Sequence, residues 1–253
     1  MATKNGTKKE SVGKNRLSEV TATKAKAAAT KPDKTGSKIQ VEMPPMARLT
    51  VLIEGISPLV VHRFSDKASK AIKDKHTGGK KVRSLEARIP KEEYEEAFHY
   101  LANGKPGFPA SGLKGCIKTA CADVDGIAMT QAKRLLWVPG QDAKTAGSGL
   151  LLEILKVKPR MREDMVRQPP RTGTFVPRWR PEFPVGWQME VPIVIKDTNV
   201  LSPDSVVNLL ARAGMQVGLG EGRPEKDGAM DFGMFRVAKV LNIETIGYED
   251  VGG

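Results

Sequence analysis

The chain has 253 residues, 40% of them hydrophobic and 28% charged, the make-up of an ordinary soluble protein with length for one sizeable core or two small ones. No apolar run approaches the roughly 20 residues that span a bilayer, and the lysine-rich N-terminus lacks the apolar centre of a signal peptide, so no membrane segment is expected and the location expected is cytoplasmic. A formal charge of +12 points instead to a polyanionic partner, because neutralised phosphates release condensed counterions and give affinity without any reading of sequence.

The charge is concentrated. Residues 1–42 carry ten Lys or Arg against four acids, and residues 156–180 carry eight against two. The first stretch is rich in Lys, Thr, Ala, Ser and Gly with almost no large apolar residue. It cannot bury enough surface to offset the entropy of ordering, and is expected to be a disordered basic tail, either an electrostatic arm or a solubilising leader. Residues 43–253 are expected to form a single domain.

A-R-L-T-V-L-I-E-G from Ala47 to Gly55 has the alternation of a strand, ended by Gly55 and Pro58. Residues 58–107 interrupt it as an insertion. They run from L-V-V-H-R-F-S-D through a lysine-rich stretch to P-K-E-E-Y-E-E-A-F-H-Y-L, a helix started by Pro90. Ser111 is placed to cap a helix with Leu113, Cys116, Ile117, Ala120 and Cys121 along one face. The two cysteines form no C-x-x-C pair, and no disulfide is expected.

Leu150 to Val157 reads as a buried strand and Trp187 to Ile195 as its partner, with Pro192 demoting the latter towards an edge. Between them lies a basic hairpin, 158–187. Ser202 to Gly214 follows as a helix with Ser202 as cap, Pro203 in the first turn and Gly214 as terminator, and Phe232 to Val240 closes as a strand. The fold class expected is therefore α+β, with a ferredoxin-like βαββαβ core of the kind whose open sheet serves RNA recognition.

Two segments carry candidate chemistry. In G-F-P-A-S-G-L-K-G-C-I-K, residues 107–118, glycines and a helix start allow close backbone approach to an anion, with Ser111, Lys114 and Lys118 nearby. In G-M-Q-V-G-L-G-E-G-R, residues 214–223, Gly218, Gly220 and Gly222 can shape a loop of backbone amides beside Arg223. The second segment lacks G-K-S/T and follows a helix rather than a strand, so nucleotide and dinucleotide cofactors are not indicated and none is expected.

Together these segments resemble those of the RAMP superfamily, in which the first helix opens with a segment like I-P-G-S-S-L-K-G and a glycine-rich loop precedes the last strand. Phe108 to Gly115 follow the first pattern with Ala110 for a glycine and Gly112 for a serine. Gly218 to Arg223, with Phe232, Gly233 and Phe235, follow the second. The resemblance spans about residues 47 to 241 and implies a backbone subunit of a CRISPR effector complex in antiviral defence: a palm, a lid at 58–107 and a thumb at 158–187. Its partners would be single-stranded guide RNA, further copies of itself in a helical homo-oligomer, other effector subunits and a target strand.

Within the thumb, Arg160, Arg162, Arg167, Arg171, Arg178 and Arg180 are candidates for phosphate contact, and Phe175 and Trp179 for stacking on bases. His62 and Arg63 follow the first strand and are also placed facing RNA; His62, His76 and His99 show no metal-ligand spacing. Some members of the superfamily cut RNA with an aspartate after the first strand, and Asp66 occupies that neighbourhood; a divalent metal would be needed only in that case. Two alternatives therefore stand beside the non-catalytic RNA-binding subunit. One is a metal-dependent endoribonuclease of the same fold; the other is a phage or plasmid scaffold protein holding nucleic acid by charge.

Overall fold

The computed structural model describes residues 41–64, 69–70, 73–74, 76–77, 88–145, 148–167, 173, 175–227 and 230–252. All but Val41 belong to the unit Glu42–Gly253, one of two into which the chain divides. Residues 1–40 of the expected basic tail, Asp66 and Arg171 lie outside the described residues.

The first strand, β1 (Met46–Gly55), alternates as its sequence requires: Ala47, Leu49, Val51 and Ile53 are buried on one face. There follow β2 (Leu59–Val60), α1 (Pro90–Glu96), β3 (His99–Tyr100), β4 (Pro106–Pro109) and α2 (Ala110–Ala120). Next come α3 (Met129–Leu135), β5 (Leu136–Trp137), β6 (Gln141–Asp142) and β7 (Leu150–Glu153), then the hairpin strands β8 (Arg160–Arg167) and β9 (Phe175–Phe183). The chain ends with β10 (Gln188–Ile195), α4 (Pro203–Gln216), the short α5 (Pro224–Asp227) and β11 (Phe235–Ile246).

The architecture is mixed α+β with antiparallel sheets, as expected. The four-stranded sheet runs β11-β1-β10-β5, a three-stranded one β2-β9-β8, and another four-stranded one β3-β4-β7-β6. The core lies where the inward residues of β1, Met189, Val191 and Ile193 of β10, and Phe235 meet two helices. Those helices contribute Leu113, Cys116, Ile117 and Ala120 from α2, and Val206, Leu210 and Ala213 from α4. Trp187 is fully buried and its indole N–H donates to the Ser57 carbonyl at 2.8 Å, joining the start of β10 to the turn after β1. No helix among the described residues is long and apolar enough to cross a membrane.

Several local expectations are corrected. Ser111 does not cap α2, which begins at Ala110 straight after Pro109, with no side-chain cap. The strand expected over 150–157 stops at Glu153 and joins β4 and β6; only an isolated bridge from Leu155 to Gln188 reaches β10, because Lys156 adopts φ 73° and breaks the run. The remaining outer side of β10 is taken by β5, at Val194 and Ile195. Pro192 falls between these two points, so a residue without an N–H faces an unpaired stretch. Gly214 does not end α4: a Cβ there would lie 2.1 Å from the Phe235 carbonyl oxygen, so the glycine lets helix and strand touch. Ser202 does cap α4, its hydroxyl accepting from the Ser205 amide at 3.2 Å.

Candidate functional site

The two glycine segments, about a hundred residues apart in sequence, line one cleft of about 470 Å³. Phe108, Gly112, Gly115, Lys118 and Thr119 of β4 and α2 form one wall, and Gly218, Gly220, Glu221 and Arg223 form the other. Val61 and His62 close one side together with His99.

The loop from Gly218 to Gly222 is held by its backbone. Gly218, Gly220 and Gly222 have φ of 72°, 75° and 66°, a region costly for any residue with a Cβ. A Cβ on Gly220 would sit 2.3 Å from the Val60 carbonyl oxygen, the same oxygen that accepts from the Glu221 amide at 2.9 Å. The amides of Gly218 and Leu219 donate to the carbonyls of Ala213 and Gly233, both at 3.0 Å. Three amides of the expected phosphate cradle are thus engaged inside the protein; Gly220 serves close packing against β2, and Gly218 and Gly222 close approach to Phe232.

The side chains carry the anion chemistry. Lys118 reaches the cleft with no carboxylate in ion-pair range among the described residues. Arg223 is held in place: its guanidinium donates to the Gly220 carbonyl at 3.1 Å and to the Glu225 carboxylate at 3.0 Å. Burial lowers the pKa of His62, and the positive charges of Arg178, Arg180 and Lys226 add to this against an opposing pull from Glu221. His99 is driven down to about 4 by burial and then by Arg63 and His62, and its Nδ1 is buried without a hydrogen-bond partner. Both imidazoles are neutral at physiological pH. Cys116 shares the cleft, but burial pushes its thiol up to about 12, so it is no nucleophile or thiolate ligand at neutral pH.

Of the residues singled out in the sequence, His62, Lys118, Gly218, Gly220 and Arg223 come together here. Ser111, Lys114 and Gly222 do not line the cleft; Lys114 instead feels burial and the charges of Lys196 and Lys133, which lower its pKa. Arg63 donates to the Glu96 carbonyl at 3.2 Å, tying the segment after β2 to the end of α1. His99, Thr119 and Glu225 were not foreseen, since β3 is too short to announce itself and Glu225 lies in a single turn of helix.

The hairpin residues divide between two faces. Antiparallel pairing sets Arg160, Arg162, Asp164, Arg178, Arg180 and Glu182 on one face, and Met161, Glu163, Met165, Arg167, Phe175 and Trp179 on the other. The first face is a salt-bridge network. Glu182, 2% exposed, accepts from Arg160 and from Arg162, the latter at 2.8 Å; Asp164 accepts from Arg162 at 2.9 Å and from Arg180 at 2.6 Å. Arg180 also approaches Glu221 at 3.9 Å and Arg162 stacks over Phe232 at 4.8 Å, so the hairpin base is pinned to the glycine loop. Burial works to raise both carboxyls, but the arginines outweigh it and hold Asp164 and Glu182 below the usual carboxylate range. The second face exposes Met161, Met165 and Phe175, with Arg167 over the Phe175 ring at 5.3 Å. Among the described residues no group of three or more His, Cys, Asp or Glu is spaced for a metal ion.

No protein-family model and no curated protein matches the chain. Among solved structures, it is similar to a chain in the cryo-EM structure of the type III-B Cmr-beta bound to cognate target RNA. There the identity is 12% and the TM-score 0.43, over 80% of this chain and 61% of that one. It thus spans less than two thirds of that chain's length. It is also similar to the crystal structure of Cmr6 from Pyrococcus furiosus, at 12% identity and a TM-score of 0.38 over 76% of this chain and 98% of that one.

Proposed function

We propose that the protein is a non-catalytic, single-stranded RNA-binding subunit of a CRISPR-effector-type ribonucleoprotein, and that the cleft between α2 and the glycine loop holds the RNA backbone. The observation that carries this reading is the convergence of Lys118, Arg223 and His62 with the two glycine segments in one cleft. A cation without a carboxylate partner among the described residues and a pre-oriented guanidinium suit a phosphate, and the neutral imidazoles add hydrogen bonding without repelling it. The other hairpin face, with Phe175 and Trp179, offers bases a surface to stack on or wedge against. In this reading the βαββαβ core is the palm, residues 58–107 the lid and 158–187 the thumb, and copies follow one another along the strand in a cytoplasmic assembly with other subunits.

The test is binding to labelled single-stranded RNA and DNA across a salt series. It uses the full chain, a form lacking residues 1–42 and a Lys118→Ala variant. The truncated form keeps RNA-preferring affinity, and complexes grow with RNA length. Lys118→Ala loses about tenfold, the worth of one charge-assisted contact, and its salt slope falls by about 0.7, the value for one phosphate of a single strand. Loss of all binding with the tail, or equal affinity for DNA, would replace this reading with a charge-driven scaffold. Cutting by a metal bound at Asp66 would appear as products abolished by Asp66→Ala.

A further inference from the structure

β11 forms one edge of its sheet, paired only to β1 among the described residues. From Ala238 to Ile243 every residue is exposed, including Val240, Leu241 and Ile243 at 39%, 40% and 48%. A long edge strand with open backbone groups and exposed apolar side chains is a template for another strand.

Its pairing to β1 shows what that strand would have to be. The register shifts between Thr50 and Val51 and between Leu52 and Ile53, and the result is that Val237, Val240 and Ile243 stand opposite Ile53, Val51 and Leu49, all on the helix-bearing face. Arg236 and Glu244 stand opposite Glu54 and Arg48 on the other face. The strand is therefore nearly palindromic about Val240, with an apolar residue three positions away and opposite charges four positions away on either side.

We propose that this edge pairs antiparallel with the β11 of a second copy about a twofold axis at Val240. Val240 then meets Val240 of the second copy. Val237 meets Ile243 on the helix-bearing face, and Arg236 meets Glu244 on the other, each twice by symmetry. Arg236 already holds Glu54 at 2.7 Å and Glu244 holds Arg48 at 3.4 Å, so each new contact extends an ion pair into a row of four charges of alternating sign. The two four-stranded sheets become one continuous sheet. This contact is closed and self-complementary, unlike the head-to-tail contact of a helical array, and it rests on the strand alone, not on the RNA reading.

The experiment uses the full chain without RNA. Sedimentation velocity over a concentration series gives a species of twice the 27.5 kDa chain mass. Val240→Cys, oxidised, links two copies through one disulfide, while Val237→Cys alone does not, since its partner is residue 243; the native Cys116 and Cys121 are buried and do not compete. Arg236→Glu and Glu244→Arg each weaken the dimer at least tenfold, and the double reversal, which restores the pairs between copies but leaves like charges beside Glu54 and Arg48 within each, recovers part of the loss. Circular dichroism separates dissociation from unfolding in the single reversals. A monomer at every concentration overturns the proposal, as does a dimer whose Val240→Cys form does not link.

Discussion

Among the described residues Lys118 in the cleft has no acidic partner, while on the inner hairpin face Arg160, Arg162 and Arg180 converge on Asp164 and Glu182. Both regions read as basic in the sequence, and the hairpin reads as the more basic of the two. The structure takes three of the hairpin arginines out of that count, because a carboxylate two residues along a strand returns to the same face as its neighbour arginine, and one directly across the ladder does the same. Arginine density alone does not measure an anion-binding surface. What counts is which guanidinium groups lack a carboxylate on their own face.

The largest expected effect breaks the hairpin side of this contrast. Glu182 is 2% exposed and receives two arginines, so Glu182→Gln removes the buried carboxylate that ties Arg160 and Arg162 to β9 and, through the lost charge-assisted hydrogen bonds, lowers unfolding stability by about 2 kcal/mol. Denaturant unfolding measures this as a lower midpoint at unchanged slope. An unaltered midpoint would mean that the network holds nothing together and that its arginines are free for RNA, which would erase the distinction from the cleft.

A second, smaller effect separates the two regions by pH. Asp164 and Glu182 have folded pKa values below their usual 3.8 and 4.5, so their contribution is complete above those values and is lost as pH falls through the folded ones. His62 and His99 are also lowered, His99 from 6.5 to about 4, so the unfolded chain takes up their protons first and stability begins to fall once pH drops below 6.5. Stability measured from pH 8 to 3 therefore declines in two windows. His99→Gln removes part of the upper one and Asp164→Asn part of the lower. A single acid window would show that the cleft histidines are solvated.

The strands and helices that carry the core were legible because their burial follows a simple period. β1 alternates over ten residues, and α4 announces its start with Ser202 and Pro203. What stayed hidden depends on contacts across long gaps in the chain. Nothing near Gly214 signals that it lies against Phe235, and nothing near Lys156 signals the positive φ that ends the contact with β10 at Leu155. The site followed the same rule. Its glycine segments stand out as local patterns, yet amides of the second are used by carbonyls from Gly233 and Val60, and one imidazole lining the cleft comes from His99 in a two-residue strand.

The smallest effect sharpens the cleft side. Arg223 shares its guanidinium with Glu225, at 38% side-chain exposure, so a phosphate arriving there competes with a carboxylate already in place. Glu225→Gln removes that competitor and also relieves repulsion of the incoming anion. Because the pair is partly solvated, its worth is below about 1 kcal/mol, and RNA affinity rises by only about threefold at low salt. The gain shrinks as salt screens the carboxylate, so a titration at two ionic strengths distinguishes it from a general loosening of the loop. If affinity falls instead, Glu225 is the residue that aims Arg223 at the phosphate, and the cleft follows the hairpin's pattern, in which carboxylates fix the arginines rather than occupy them.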